Sequence, residues 1–110
     1  MRIKLYKGSK VPFTINLSKV GDFSMSQYDF EIFYYCTKSK VVLVKKAQAM
    51  RIDDDNYLFI VDTALVDMGK LRLAVRAMVP DSRFEELVRP EIIDEIDTNC
   101  DVVDTVVPKQ

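Results

Sequence analysis

Lys70-Leu71-Arg72-Leu73-Ala74-Val75-Arg76-Ala77-Met78-Val79 is the stretch of sequence that decides the fold. Its odd-numbered positions are all apolar: Leu71, Leu73, Val75, Ala77 and Val79. Its even-numbered positions include three cations: Lys70, Arg72 and Arg76. An apolar period of two is typical of a strand that buries one face. The stretch therefore predicts a β-strand with one face in the core and the other in water.

The same period recurs on both sides of this strand. Residues 12–17 alternate apolar and polar positions, and residues 28–36 do so with many aromatic side chains, which favour extended structure. Residues 41–45 and 47–52 predict shorter strands, whereas residues 57–61 are apolar on both faces and predict a central, well-covered strand. Strands that recur with short turns between them predict an antiparallel sandwich.

Two segments show helical signals. Thr63 could cap one helical turn through residues 64–68, which Gly69 would end. Residues 90–96 begin with proline and have apolar residues at helical spacing, so a short helix is an alternative there. We favour a strand for this segment, because the β-branched residues of 101–107 follow it and have low helix propensity. The predicted fold class is all-β, with at most one short helical turn.

The composition is that of one soluble domain over residues 1–110. Hydrophobic residues make up 48% and charged residues 30%, and no apolar run approaches the roughly 20 residues that span a bilayer. Residues 1–7 alternate charged and apolar side chains, so we expect no export by a signal peptide and no membrane association. Cys36 and Cys100 are therefore expected to be reduced, with a disulfide as the alternative.

The charges are divided unevenly along the chain. Residues 1–50 carry a net charge of +6 and residues 51–110 a net charge of −7, for a total of −1. A total near zero argues against a partner such as nucleic acid. If the two halves form separate outer faces, copies could associate head to tail; the alternative is that the charges pair within one monomer. The residues in question are Lys38, Lys40, Lys45 and Lys46 in the basic half, and Glu91, Glu95 and Asp97 in the acidic half.

The residues needed for common enzymatic chemistry are missing. Histidine is absent, which excludes Ser-His-Asp and Cys-His catalysis, and the glycines are too scattered for a phosphate-binding loop. Asp53 to Asn56 could ligate calcium, but this run fits a solvated turn better because the Gly and distal Glu of a calcium loop are missing. The carboxylates of residues 85–97 fit a solvated sheet face. We expect no enzyme activity, no cofactor and no metal.

An aromatic pair is the candidate contact site. Phe33 and Tyr35 alternate with the apolar face of residues 28–36, and lie on the same side as Asp29 and Glu31. Exposed aromatic side chains on a polar face are typical of protein contacts, so we predict that this pair binds a partner protein. The alternative is a stacking platform for sugars or single-stranded bases.

Short segments spread through the chain carry a resemblance to a known group of proteins. They are Lys7-Gly8-Ser9-Lys10-Val11-Pro12-Phe13-Thr14-Ile15, the Tyr/Phe-rich strand, Asp62-Thr63, Gly69-Lys70-Leu71, Val79-Pro80-Asp81 and Arg89-Pro90-Glu91. Over about residues 5–103 the chain resembles short proteins from bacterial prophages. These are similar to the N-terminal immunoglobulin-like domain of baseplate upper proteins from tailed phages.

This resemblance implies an immunoglobulin-like β-sandwich of about 7 to 9 strands. It also implies a structural module of a phage tail, baseplate or fibre, with other phage structural proteins or further copies of itself as partners. The expected location is the bacterial cytoplasm during assembly and the virion afterwards. The alternative function is an adhesion or carbohydrate-binding module, for which Phe33 and Tyr35 would form the binding surface.

Overall fold

The computed structural model of the chain describes residues 2–17, 25 and 27–104. Within these residues the chain forms eight strands and two 3-10 turns, and no helical segment there is long and apolar enough to cross a membrane. The strands are β1 (Ile3–Tyr6), β2 (Lys10–Asn16), β3 (Phe30–Tyr35), β4 (Val41–Lys45), β5 (Met50–Arg51), β6 (Asn56–Asp62), β7 (Gly69–Pro80) and β8 (Val88–Val103). Of the predicted strand over 101–107, residues 105–107 lie outside the described part.

The strands form two sheets, and the predicted all-β sandwich is confirmed. Sheet A has the order β1-β8-β7-β3-β4 and sheet B the order β2-β6-β5. The pairing is antiparallel except between β1 and β8, which run parallel, so the prediction of a wholly antiparallel sandwich is wrong at this edge.

The core lies between the two sheets. The odd-numbered side chains of β7 from Leu71 to Val79 are buried there, which confirms the predicted face of that strand. Phe30 and Ile32 of β3 meet Tyr57 and Phe59 of β6 across the core. The prediction that both faces of residues 57–61 are covered is wrong, because the outward-facing Ile60 of sheet B is 48% exposed.

The two 3-10 turns differ from the predictions. Lys46–Gln48 is a turn rather than strand, because the Gln48 Oε1 atom accepts the Lys45 N–H at 2.8 Å and ends β4. Only Met50–Arg51 of the predicted strand over 47–52 is extended. The described residues form two 3-10 turns, so the expectation of at most one helical turn is wrong. The second turn, Thr63–Leu65, ends before Met68 and is capped by Asp62 instead of Thr63.

Thr63 connects the two sheets instead of capping a turn. Its side chain is fully buried, and its Oγ1 atom accepts the Gly8 N–H at 2.9 Å and donates to the Ser9 carbonyl at 2.7 Å. The hydroxyl therefore fixes the turn between β1 and β2 against the end of β6. Cys36 and Cys100 are free, as predicted, and both are buried.

Residues 88–97 belong to strand β8, which confirms the strand prediction for this segment. Its pairing with β7 shifts register at two places, between Leu71 and Arg72 and between Leu73 and Val75 of β7. The extra residues at these bulges place Glu95 at φ 56° and Asn99 at φ 61°, in the left-handed region. The bulges change the direction in which the side chains of β8 point where this strand passes the middle of sheet A.

Candidate functional site

The outer face of sheet A, directed away from sheet B, carries the predicted contact residues. Phe33 of β3 lies opposite Ala74 of β7 and Leu43 of β4, and Tyr35 lies opposite Val41. Together these strands form an open cleft of about 220 Å³, which we call the outer-face cleft. Its lining residues are Phe33, Tyr35, Lys38, Val41, Ala74 and Asp94.

Tyr35 is part of the floor of the cleft. The expectation that both aromatic rings are exposed is wrong for this residue, whose side chain is 3% exposed. Its hydroxyl donates to the Asp94 Oδ1 atom at 2.6 Å, and burial raises the pKa of the phenol. Phe33 is half-buried and supplies the accessible aromatic surface. The predicted protein contact of this pair stays a prediction.

Asp94 owes its position to a bulge in β8. Its Oδ1 atom accepts both the Tyr35 hydroxyl and the Glu95 N–H at 2.6 Å, and Glu95 is the bulge residue with positive φ. The hydrogen bond from Tyr35 is the main reason that the pKa of Asp94 is lowered. The cleft can therefore accept a hydrogen bond at one end and an apolar group in the middle.

An apolar surface extends from the cleft to the edge of the sheet. Val41 and Leu43 of the edge strand β4 are 46% and 39% exposed on the same face as Phe33. Lys38 lies at the end of this surface, with its ammonium 3.4 Å from the Glu95 carboxylate. An apolar centre with charged groups at its border is the usual composition of a protein contact.

Charges of the two halves of the chain meet within one molecule. Besides Lys38 and Glu95, Arg2 pairs with Asp97 at 2.8 Å and with Asp101 at 2.7 Å. The hypothesis that the basic and acidic halves form separate outer faces is therefore wrong for these residues. Folding brings the N-terminal strand beside the last one, so their opposite charges become neighbours in sheet A.

The acidic run Asp53 to Asn56 forms a turn, as predicted. The Asp53 carboxylate accepts the backbone N–H groups of Asp55 and Asn56 and the Asn56 side-chain amide, at 2.8 to 2.9 Å. These bonds are typical of an Asx turn between two strands. In the described part of the chain, no three carboxylate or cysteine side chains are grouped as a metal site requires.

A second surface feature escaped the sequence analysis. Residues 81–87 connect β7 to β8, and we call them the hairpin tip. Phe84 and Leu87 of the tip are 46% and 64% exposed. The abundance of carboxylates predicts a solvated face for residues 85–97. The pair of large apolar side chains beside Glu85 and Glu86 is the sequence signal that indicates a contact.

Comparison with known proteins found no matching family model, no similar curated protein and no similar solved structure. The resemblance to phage baseplate proteins therefore stays a prediction.

Proposed function

We propose that this chain is a non-catalytic interaction module that binds other proteins through the outer-face cleft. The observation that carries the proposal is the continuous apolar surface formed by Phe33 in the cleft and by Val41 and Leu43 on the sheet edge. Partly exposed aromatic and aliphatic side chains on a rigid sheet lose little entropy when a partner covers them. The cleft, at about 220 Å³, lies below the roughly 300 to 1,000 Å³ of small-molecule sites, so it fits one partner side chain better.

The backbone of the edge strand β4 adds polar groups to this surface. In an antiparallel pair, every second residue of a strand directs its N–H and C=O groups to the same neighbouring strand. The Asp29 carbonyl accepts the Met78 N–H of β7, so Phe33, an even number of residues further along, also directs its backbone groups to β7. The β3 residues between these positions direct their backbone groups to β4. Val41 and Leu43 lie opposite residues that bond to β7, so their own backbone groups point away from β3, towards the outer edge of the sheet. Within the described part of the chain, no strand pairs with this side of β4. A partner segment can add to such an edge as a further strand.

The assembly that we propose for this module is the tail or baseplate of a phage encoded by a bacterial prophage. The support is the resemblance of the quoted segments, together with the two-sheet β-sandwich that the resemblance implies. The partners would be other structural proteins of the particle or further copies of the chain. A carbohydrate-binding role is the second candidate, because the half-buried Phe33 ring lies in one cleft with the charged Asp94 carboxylate. The burial of Tyr35 reduces the stacking surface to one ring, which favours the protein partner.

Mass spectrometry of purified particles tests this proposal. Prophages are induced in the bacterium that encodes the chain, and particles are purified on a density gradient. We expect the wild-type chain in stoichiometric amounts, and we expect the Phe33→Ala variant to be depleted from the particles. Ile60→Ala on the outer face of sheet B is the matched control and should be incorporated normally. Absence of the wild-type chain from intact particles would contradict the phage role. Glycan-array binding that Phe33→Ala abolishes would support the carbohydrate alternative.

A further inference from the structure

The hairpin tip lies at the end of an arm that extends past the neighbouring strand. Strand β3 pairs with β7 from Arg72 to Ala77, and one further hydrogen bond joins Asp29 to Met78. Beyond that point β7 continues to Pro80 and pairs with β8 alone among the described strands. The arm therefore presents its tip away from the neighbouring strands of sheet A.

The tip has a fixed conformation. The Asp81 N–H donates to the Leu87 carbonyl at 2.9 Å, and the Leu87 N–H donates to the Phe84 carbonyl at 2.9 Å. The Asp81 carboxylate accepts the Arg83 N–H at 3.1 Å and pairs with the guanidinium groups of Arg83 and Arg89. A loop fixed in this way loses little conformational entropy when it binds.

The tip directs large apolar side chains into solvent. Phe84 and Leu87 are both exposed, and Leu87 has φ 64°, a conformation that is unfavourable for a bulky L-residue. Glycine would relieve this strain, and the exposed leucine side chain gains little burial in the monomer. A strained, exposed apolar residue on a fixed loop is typical of a binding surface.

The tip is acidic between its two apolar residues, and the outer-face cleft has lysines at its border beside the carboxylates of Asp94 and Glu95. Glu85 and Glu86 lie between Phe84 and Leu87, and neither carboxylate forms an ion pair with the residues described. Lys38 lines the cleft, and Lys45 lies on the same outer face of β4. The ion pair of Lys38 with Glu95 is exposed and weak, so Lys38 can exchange it for another carboxylate.

We propose that the hairpin tip of one copy binds the outer-face cleft of a second copy. Phe84 would enter the cleft, Leu87 would cover the exposed Val41 and Leu43 of β4, and Glu85 and Glu86 would face the lysines. The two surfaces differ, so the contact is heterologous and repeats head to tail, as in a ring or filament. This inference rests on the proposed function in one respect, because both use the outer-face cleft as a surface that binds protein.

Sedimentation velocity over a range of protein concentrations tests the proposal. The tip variant combines Phe84→Ser with Leu87→Gly, and the cleft variant is Phe33→Ala, with Val41→Glu as a second cleft variant on the exposed edge. We expect the wild-type chain to form larger species as its concentration rises, and each variant alone to associate more weakly by roughly tenfold or more. Ile60→Ala should associate like the wild type.

A mixture of the two variants identifies the heterologous contact. The tip variant keeps an intact cleft and the cleft variant an intact tip, so equal amounts should form a one-to-one dimer and no larger species. A contact between identical surfaces would give no such rescue and would overturn the proposal. Leu87→Gly alone should weaken association without lowering the urea midpoint of unfolding, since glycine accepts the positive φ. A loss of stability without a loss of association would contradict the role of Leu87.

Charge reversal gives an independent measurement. Glu85→Lys with Glu86→Lys should weaken association, and mixing this variant with Lys38→Glu/Lys45→Glu should restore it. Wild-type chain that stays monomeric at every concentration and at low salt would overturn the proposal. If Phe33→Ala is still depleted from particles in that case, the proposed function stands and only the second copy is excluded as the partner.

Discussion

Phe30 and Phe33 lie on the same strand and on opposite faces of sheet A, so truncating each of them should have different consequences. The Phe30 ring is buried in the core, 5.1 Å from the Tyr57 ring in an edge-to-face contact, and the Lys46 ammonium lies 5.6 Å from its centre. Phe33 is half-buried on the open face. We predict that Phe30→Ala destabilises the fold strongly and that Phe33→Ala does so only weakly.

The expected magnitudes follow from burial. Truncating a fully buried phenylalanine leaves a cavity and costs about 3 to 5 kcal/mol, which applies to Phe30→Ala. Complete burial of a large apolar side chain contributes about 1.5 to 3 kcal/mol, of which the half-buried Phe33 gains only part. Water fills the open cleft after Phe33→Ala, so no closed cavity is added. We therefore expect a loss of about 1 kcal/mol for Phe33→Ala and a difference between the variants of at least roughly 2 kcal/mol.

Urea unfolding followed by circular dichroism measures both losses. The comparison requires equal m-values for the wild type and the two variants, so that the midpoints report stability alone. Phe30→Ala should retain partner binding in proportion to its folded fraction, whereas Phe33→Ala should lose binding while folded. Equal losses of stability in the two variants would refute the assignment of Phe33 to the outer face.

Three further predictions concern stability and reactivity. Thr63→Val should cost about 1 to 2 kcal/mol in urea unfolding, because the Gly8 N–H loses its acceptor and the Ser9 carbonyl loses its donor. Thr63→Ser should cost less, and equal losses would show that the hydroxyl is unimportant. Arginine side chains lower the pKa values of Asp81 and Asp97 from 3.8 to about 2, so their stabilising contribution is present above pH 3.8 and is lost as the pH falls towards 2. Carboxyl NMR titration should give both values, and pKa values near 4 would contradict the pairing. Cys36 and Cys100 are buried, and burial raises the pKa of Cys36, so a thiol reagent should label both slowly until the chain unfolds; rapid labelling of the native chain would contradict this.

Local patterns in the sequence predict most of the strands and the core faces of β7 and β3, but not strand β1 or the turn at Lys46–Gln48. The alternation over residues 70–79 and 28–36 is long enough to fix which side chains of β7 and β3 face inward. A sequence pattern does not show whether another part of the chain covers an outward-facing side chain. The apolar Ile60 was therefore predicted to be covered, although it is exposed. The parallel pairing of β1 with β8 joins the two ends of the described chain and has no local signal.

The candidate site depends on contacts between residues far apart in the sequence. Phe33 and Tyr35 are two residues apart in β3, and the alternation therefore predicts both side chains on the outer face. Tyr35 is buried because a bulge in β8 brings Asp94 to its hydroxyl, and nothing within residues 28–36 indicates that contact. The hairpin tip was missed because Phe84 and Leu87 are brief interruptions of a charged segment, and their exposure depends on the fixed loop around Asp81.

Site-specific photocrosslinking tests most directly the claim that the outer-face cleft contacts proteins. A photoreactive phenylalanine analogue replaces Phe33 in cells that encode the chain, and the same analogue at Ile60 on sheet B is the control. Irradiation should give a covalent adduct from position 33, with a second copy of the chain or another protein of the particle, and little or none from position 60. Adducts of equal yield from both positions, or none from position 33, would contradict the account.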